Sequence, residues 1–332
     1  MYNLSNSPDS LKGIIEDFSD RLLPIAASRI GIQPSDLKRK FNLRFESSNV
    51  INASIKTHDN WENFEITFND ALMLFYHKML KVYVSTLGIG DDETNIAEKP
   101  TISLDRIASV CEGLIEAYWT GKLLTKGGFR LEELGEGQTG ILSHLVLSGE
   151  CFDVAHELGH AIFGIMNGNV VEYSFAWKLV TDFVEGIPDL GSEDKLGLIE
   201  PWIEESCADL IGLQLCLAQP RIKPYDNWPH YKQWICAGAE ITVLLHMLLQ
   251  EYYDRKNNGC NITLISSHPH DYLRWKVIVS SPEKNTFTDN LKLGKHFRDF
   301  ALGVLDYLFV KQEDGSYRLK SKSRNNLNKF TH

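Results

Sequence analysis

Two histidines and a glutamate stand in the run Cys151-Phe-Asp-Val-Ala-His156-Glu157-Leu-Gly-His160-Ala-Ile-Phe-Gly164, with the spacing His-Glu-x-x-His. On a helix, residues four apart lie one above the other on the same face, so His156 and His160 aim two imidazoles at one point. Two neutral imidazoles facing one point suit a zinc ion. Glu157 is one residue round from His156 and reaches the rim of the same site. A carboxylate there takes a proton from a water whose pKa zinc has lowered to about 7. The spacing is that of a metallopeptidase helix. Val154, Ala155, Leu158, Ala161, Ile162 and Phe163 surround the polar triplet, so the segment reads as a buried helix. The bland alternative is an unmetallated core helix. Two histidines and a glutamate in apolar surroundings are costly unless something binds them, which weighs against it.

A catalytic zinc takes three protein ligands and keeps one position open. The third is sought in Trp202-Ile-Glu204-Glu205-Ser-Cys-Ala-Asp209-Leu-Ile-Gly212, where Glu205 and Asp209 are four apart and share a helical face. Glu205 is expected to complete the site. Asp209 is expected behind it, accepting a hydrogen bond from the outer nitrogen of a zinc histidine and fixing that ring. Glu204 competes for the ligand role but has alanine, not an acid, four residues on; a solvated carboxylate near a helix start is its ordinary reading. Asp153, Glu172 and His144 are poorer candidates. A further block, His268-Pro-His-Asp-Tyr-Leu-Arg274, reads on its own as a helix start. Beside the other two blocks it offers His268 and Arg274 as catalytic groups, reaching a ligand carboxylate or the oxyanion of an attacked peptide.

These residues need elements to hold them. Leu11, Ile14, Ile15, Phe18, Leu22 and Leu23 recur at helical spacing. Three alternating runs follow, Phe41 to Phe45, Ile51 to Ile55 and Phe64 to Phe68, and predict a three-stranded antiparallel meander. Helices are expected from Asn69-Asp70 to about Val84 and from Thr101 to about Thr120, with a loop from Gly88 to Pro100 between them. Lys122 to Gly140 carries five glycines and reads as irregular. The zinc helix is expected from Ile141 to about Asn167-Gly168-Asn169, then a strand from Val170 to Trp177. Further helices follow at Glu200 to Gln219, Tyr231 to Tyr253, Asp271 to Val279 and Lys295 to Phe309, and the tail from Lys311 to His332 is expected to fray. The fold class is α+β, mostly helical, in a single domain over 1–332. Its N-terminal α/β part spans 1–100, the helical part with the zinc site 101–310, and the tail 311–332.

Composition narrows the function classes. With 34 basic against 44 acidic residues, the formal net charge of −10 disfavours a nucleic-acid partner. The N-terminus lacks a basic region followed by an apolar run, so no signal peptide is expected. The most apolar stretch, Ile235 to Leu249, is interrupted by Glu240 and His246 and is short for a membrane span. Six cysteines without a CxxC pair read as reduced core residues of a cytoplasmic protein.

In this order, His156-Glu157-x-x-His160, Glu205-x-x-Ala208-Asp209 and His268-Pro269-x-x-x-x-Arg274 resemble the blocks of gluzincin peptidases of the HtpX type, which carry transmembrane helices that this chain lacks. The soluble Lit-type phage-exclusion peptidases are a closer likeness, and Phe41-Asn-Leu-Arg44 and Glu65-Ile-Thr67 are similar to their N-terminal part. The resemblance implies a zincin-like metallopeptidase core with one zinc on His156, His160 and Glu205, Glu157 as general base and Asp209 behind the ligands. It implies a cytosolic protease that cuts a translation factor in antiviral defence. The rival expectations are a regulatory peptidase acting on a repressor or a damaged protein, and a metal-stabilised binding protein without turnover.

Overall fold

The computed structural model describes residues 8–46, 53–58, 61–89, 96–98, 103–120, 134–187, 191–219, 231–257, 269, 271–286, 292–313 and 315–320. Helices α1 (Pro8–Ile30) and α2 (Pro34–Lys40) lead into strands β1 (Phe41–Glu46), β2 (Ala53–His58) and β3 (Asn63–Asn69). Helix α3 (Asp70–Ser85), the antiparallel pair β4 (Leu87–Ile89) and β5 (Ile96–Glu98), and α4 (Leu104–Trp119) follow. Then come α5 (Glu136–Ile165), α6 (Tyr173–Glu185), α7 (Ser192–Ala218), α8 (Tyr231–Lys256), α9 (Asp271–Ser280), α10 (Pro282–Thr286) and α11 (Leu293–Leu308). The antiparallel pair β6 (Phe309–Lys311) and β7 (Tyr317–Leu319) ends the described chain. One apolar core runs from Ile14 on α1 to Phe309 on β6. Among the described residues no helix is long and apolar enough to cross a membrane.

The architecture is mostly helical, with a small sheet near the N-terminus. That sheet is mixed and not the expected antiparallel meander. Its order is β1-β3-β2, with β1 parallel and β2 antiparallel to β3. Phe64, Ile66, Thr67, Phe68 and Asn69 are all buried, whereas β1 and β2 are half-exposed, so β3 takes the middle place. Alternation marks which face of a strand is buried and says nothing of its neighbour.

Helix α5 is buried from Leu145 through Ile162 without a break. An all-round apolar helix belongs at the centre of a domain; here α7, α8, α1 and α3 pack around it. It starts at Glu136, earlier than expected, because Gln138 reaches back to accept from the Gly135 N–H at 3.1 Å. It stops where expected. Asn167 and Gly168 turn left-handed (φ 49° and 74°), and the Gly168 N–H donates to the Phe163 carbonyl at 2.9 Å. The strand expected over Val170 to Trp177 is helix α6 instead, since Ala176, Val180 and Val184 bury one face at helical spacing. Helix α7 likewise begins at Ser192 and runs through Pro201. Part of the tail expected to fray pairs as β6 with β7, and part of the expected 88–100 loop pairs as β4 with β5. Most of the glycine-rich stretch, 122–133, lies outside the described residues, as does 321–332.

Helices α5 and α7 touch through their backbones. A Cβ on Gly159 would stand 2.6 Å from the Ala208 carbonyl oxygen, and one on Gly212 would stand 2.9 Å from the His156 nitrogen. Gly159→Ala must therefore part the two helices. Alanine is intrinsically the better helix residue by about 1 kcal/mol, so a net loss isolates the packing cost. We expect a loss of about 1–3 kcal/mol by urea denaturation; a gain in stability would show that the contact is soft.

Glu150 is fully buried on α5 with neither carboxylate oxygen hydrogen-bonded. Burial pushes its pKa from 4.5 up to about 8. A raised folded-state pKa means stability present below pH 4.5 and lost as pH rises through 8. Glu150→Gln removes that loss. Its melting temperature should match wild type near pH 4.5 and exceed it at pH 8, where the relief is on the order of a few kcal/mol. Parallel curves for the two proteins would contradict this.

Candidate metal centre

The site is built by α5 and α7. One turn of α5 separates His156 from His160, and their rings meet edge to face with centroids 4.8 Å apart. Both Nε2 atoms point at Glu205 of α7. His156 Nε2 lies 3.6 Å from Glu205 Oε2, and His160 Nε2 lies 3.6 Å from Glu205 Oε1. Ligands about 2.0 Å from a tetrahedral ion stand about 3.3 Å from one another. The two histidine–glutamate separations are thus within a few tenths of an ångström of that spacing. Among the described residues His156, His160 and Glu205 form a group whose donor atoms all lie within 4.8 Å of one another, and all three are buried. Two imidazoles and one carboxylate are the donor set of an ion with a fourth position left open.

Each histidine has a carboxylate at its other nitrogen. His160 Nδ1 is hydrogen-bonded to Glu204 Oε1 at 3.1 Å. His156 Nδ1 is 2.9 Å from Asp209 Oδ1, a close contact oblique to the ring N–H direction. Asp209 itself is fully buried and gripped by Arg274 on α9, whose Nε donates to Oδ2 at 2.9 Å and whose Nη2 donates to Oδ1 at 2.7 Å. Burial acts to raise the Asp209 pKa, but the guanidinium outweighs it and holds the carboxyl below its ordinary value. Burial acts to lower the His160 pKa; the negative charge of Glu205 and the hydrogen bond that the ring donates to Glu204 outweigh it and lift the imidazole well above its ordinary value. Glu157 is raised by burial, against the opposing pull of His156 and His160.

The expected residues therefore meet: His156, His160 and Glu205 as donors, Glu157 within electrostatic reach of all three, and Asp209 behind His156. Arg274 differs from expectation. Its two hydrogen bonds go to Asp209, one residue behind the donor set, and not to the ligand carboxylate. His268 lies outside the described residues. Glu204 is the residue that spacing alone missed. The signal was present: each metal-binding imidazole needs an outer partner, and Asp209 can serve only one. An open cavity of about 860 Å³ adjoins the His160 side, lined among others by Trp61, Phe163, Tyr173, Glu200 and Glu204.

No protein-family model matches the sequence, and no curated protein and no solved structure matches it.

The two outer carboxylates should fail differently when removed. Asp209→Ala strands a buried arginine and should cost about 3–5 kcal/mol of folding stability. The Glu204 side chain is 39% exposed, so Glu204→Ala should leave stability nearly unchanged while metal affinity falls about 10–100-fold. Denaturant melts and competition with a metal chelator measure the two effects. Equal stability losses would contradict the assignment.

Proposed function

We propose that the chain is a zinc-dependent endopeptidase with Glu157 as its general base. The observation that carries this reading is the convergence of His156 Nε2, His160 Nε2 and the two Glu205 oxygens, with a fourth carboxylate, Glu157, beside them. When bound, zinc supplies Lewis-acid chemistry, polarising a carbonyl and acidifying water. The chain supplies the rest. Asp209 and Glu204 hold the two imidazoles by their Nδ1 atoms, so that both Nε2 lone pairs stay turned inward. Arg274 keeps Asp209 ionised and so fixes the ring of His156. Glu157 accepts a proton from the attacking water and delivers it to the leaving amine nitrogen. Burial moves its pKa toward the operating pH, which suits a base that must also release its proton.

The zincin-like core and the likeness to Lit-type peptidases belong to this proposal. They extend it to a cytosolic protein target, a translation factor, cut in phage defence. That extension rests on the three sequence blocks alone. A regulatory peptidase shares the chemistry and differs in target. A binding protein without turnover would need the three donors but has no use for a buried Glu157.

Glu157→Gln should retain about one zinc per chain while cleavage of a peptide mixture falls by about 10²–10⁴-fold or more. Metal analysis and mass spectrometry of the digest give the two readouts. Full cleavage by this variant sinks the mechanism.

A further inference from the structure

The open cavity of about 860 Å³ begins where α5 ends. Phe163 and Gly164, which line it, lie three and four residues beyond His160 and share its helix face. At 1.5 Å per residue that is about 4.5–6 Å along the axis from the second imidazole. Glu204 lines the cavity too, and the same carboxylate holds His160 Nδ1 at 3.1 Å through Oε1. A group seated in the cavity is therefore one side chain away from the candidate metal centre.

The walls carry one kind of chemistry. Glu200 and Glu204 stand four apart on α7, and water reaches both. Tyr173 of α6 donates its hydroxyl to Glu200 Oε1 at 3.3 Å, so ring and carboxylate are held together. Phe163 adds a second ring and Trp61 a third. The indole is a built feature. Trp61 takes φ 69°, an uncommon backbone for a bulky residue, and its N–H donates to Thr57 Oγ1 at 3.1 Å. A Cβ at position 164 would collide with the indole, so glycine there leaves the ring its place. No lysine or arginine stands among the described residues that line the cavity. The last turn of α5, whose carbonyl end is partly negative, carries no basic residue either.

These walls exclude most occupants. An anion is repelled. An apolar group strips water from two carboxylates and returns no hydrogen bond. A metal ion finds too few donors, since Glu200 and Glu204 belong to no group of three, among the described residues, that closes around an ion. A long cationic side chain satisfies every wall. Its head pairs with the carboxylates, and the aromatic faces take its charge and its stem.

We propose that this cavity is the subsite that selects a lysine or arginine side chain of the substrate polypeptide, with Glu200 and Trp61 as its specificity-determining residues. This rests on the peptidase reading of the metal centre, and the test separates the two. An extended chain advances about 3.3 Å per residue, so the basic residue lies within about two residues of the bond that is cut.

The probe is butylguanidinium, an arginine head and stem without a backbone, titrated into the purified zinc-loaded protein and followed by ligand-observed NMR. Saturable binding is expected in wild type, with none for the neutral isostere butylurea. Glu200→Gln should weaken it about tenfold, and Trp61→Ala several-fold. Glu193→Gln, an exposed acid of α7 outside the cavity lining, should leave it unchanged. Absent binding in wild type overturns the cavity, as does equal affinity in Glu200→Gln or an equal loss in Glu193→Gln. If Trp61→Ala fails to fold, Glu200→Gln, at an exposed position, carries the test alone. Cleavage of a peptide mixture gives the second arm. A basic residue should be enriched at one fixed position beside the cut and lose that enrichment in Glu200→Gln, while cleavage of peptides without it continues. Cleavage with no basic preference overturns the subsite and leaves the peptidase. Glu200-dependent guanidinium binding without any cleavage keeps the cation site and overturns the peptidase reading.

Discussion

The backbone contact between α5 and α7 sets the distances at the candidate metal centre. Ordinary helix pairs are held 8–10 Å apart by their side chains. Here Gly159, between the two histidines, lies against Ala208, between Glu205 and Asp209, and Gly212 lies against the backbone of His156. The contact is therefore centred on the donor set. Short side chains at 159, 208 and 212 let a glutamate, which has a limited reach, bring both carboxylate oxygens to 3.6 Å from the two imidazoles. Widening the pair by one methyl group would move all three donors apart together.

Placing so many acids in one core has an electrostatic cost, and the structure meets it unevenly. Asp209 is ionised, fully buried and clamped by a guanidinium, so His156 is held by a rigid charge. Glu204 sits at the rim beside the open cavity, so His160 is held by a group that water can reach. One half of the donor pair is built into the fold, and the other half faces the side from which a ligand arrives. Asp153 and Glu150 have no such clamp, and burial raises the pKa of both. That contrast separates the acids of α7, which stand against the two imidazoles, from those of α5, which among the described residues are buried without a partner cation.

Much of the site was legible in the sequence because a helix converts spacing into direction. His156 and His160, and Glu205 and Asp209, are each four apart, and both pairs face inward as that period requires. What spacing does not carry is which group meets which across helices. Arg274 reaches Asp209 from α9, sixty-five residues away, and Glu204 reaches His160 because α7 crosses α5 at one particular height. The sheet shows the same limit. The three alternating runs fall on or beside the strands, yet β3 inserts between its predecessors because it is the one most deeply buried. Val170-Val171 reads as strand by local preference, but the apolar period that follows commits the segment from Tyr173 to helix α6.

Helix α5 also gives the site a direction. Its C-terminal end, at Phe163 and Gly164, borders the open cavity; its middle carries the donors and Glu157; the buried acids Asp153 and Glu150 lie toward its N-terminus. On the proposed reading, a polypeptide drawn across the metal centre meets different physics on its two sides. Toward the cavity it finds a wide polar and aromatic surface with room for many side chains. Toward the N-terminal end of α5 it finds the closed core, in which Asp153 and Glu150 are buried behind the donors.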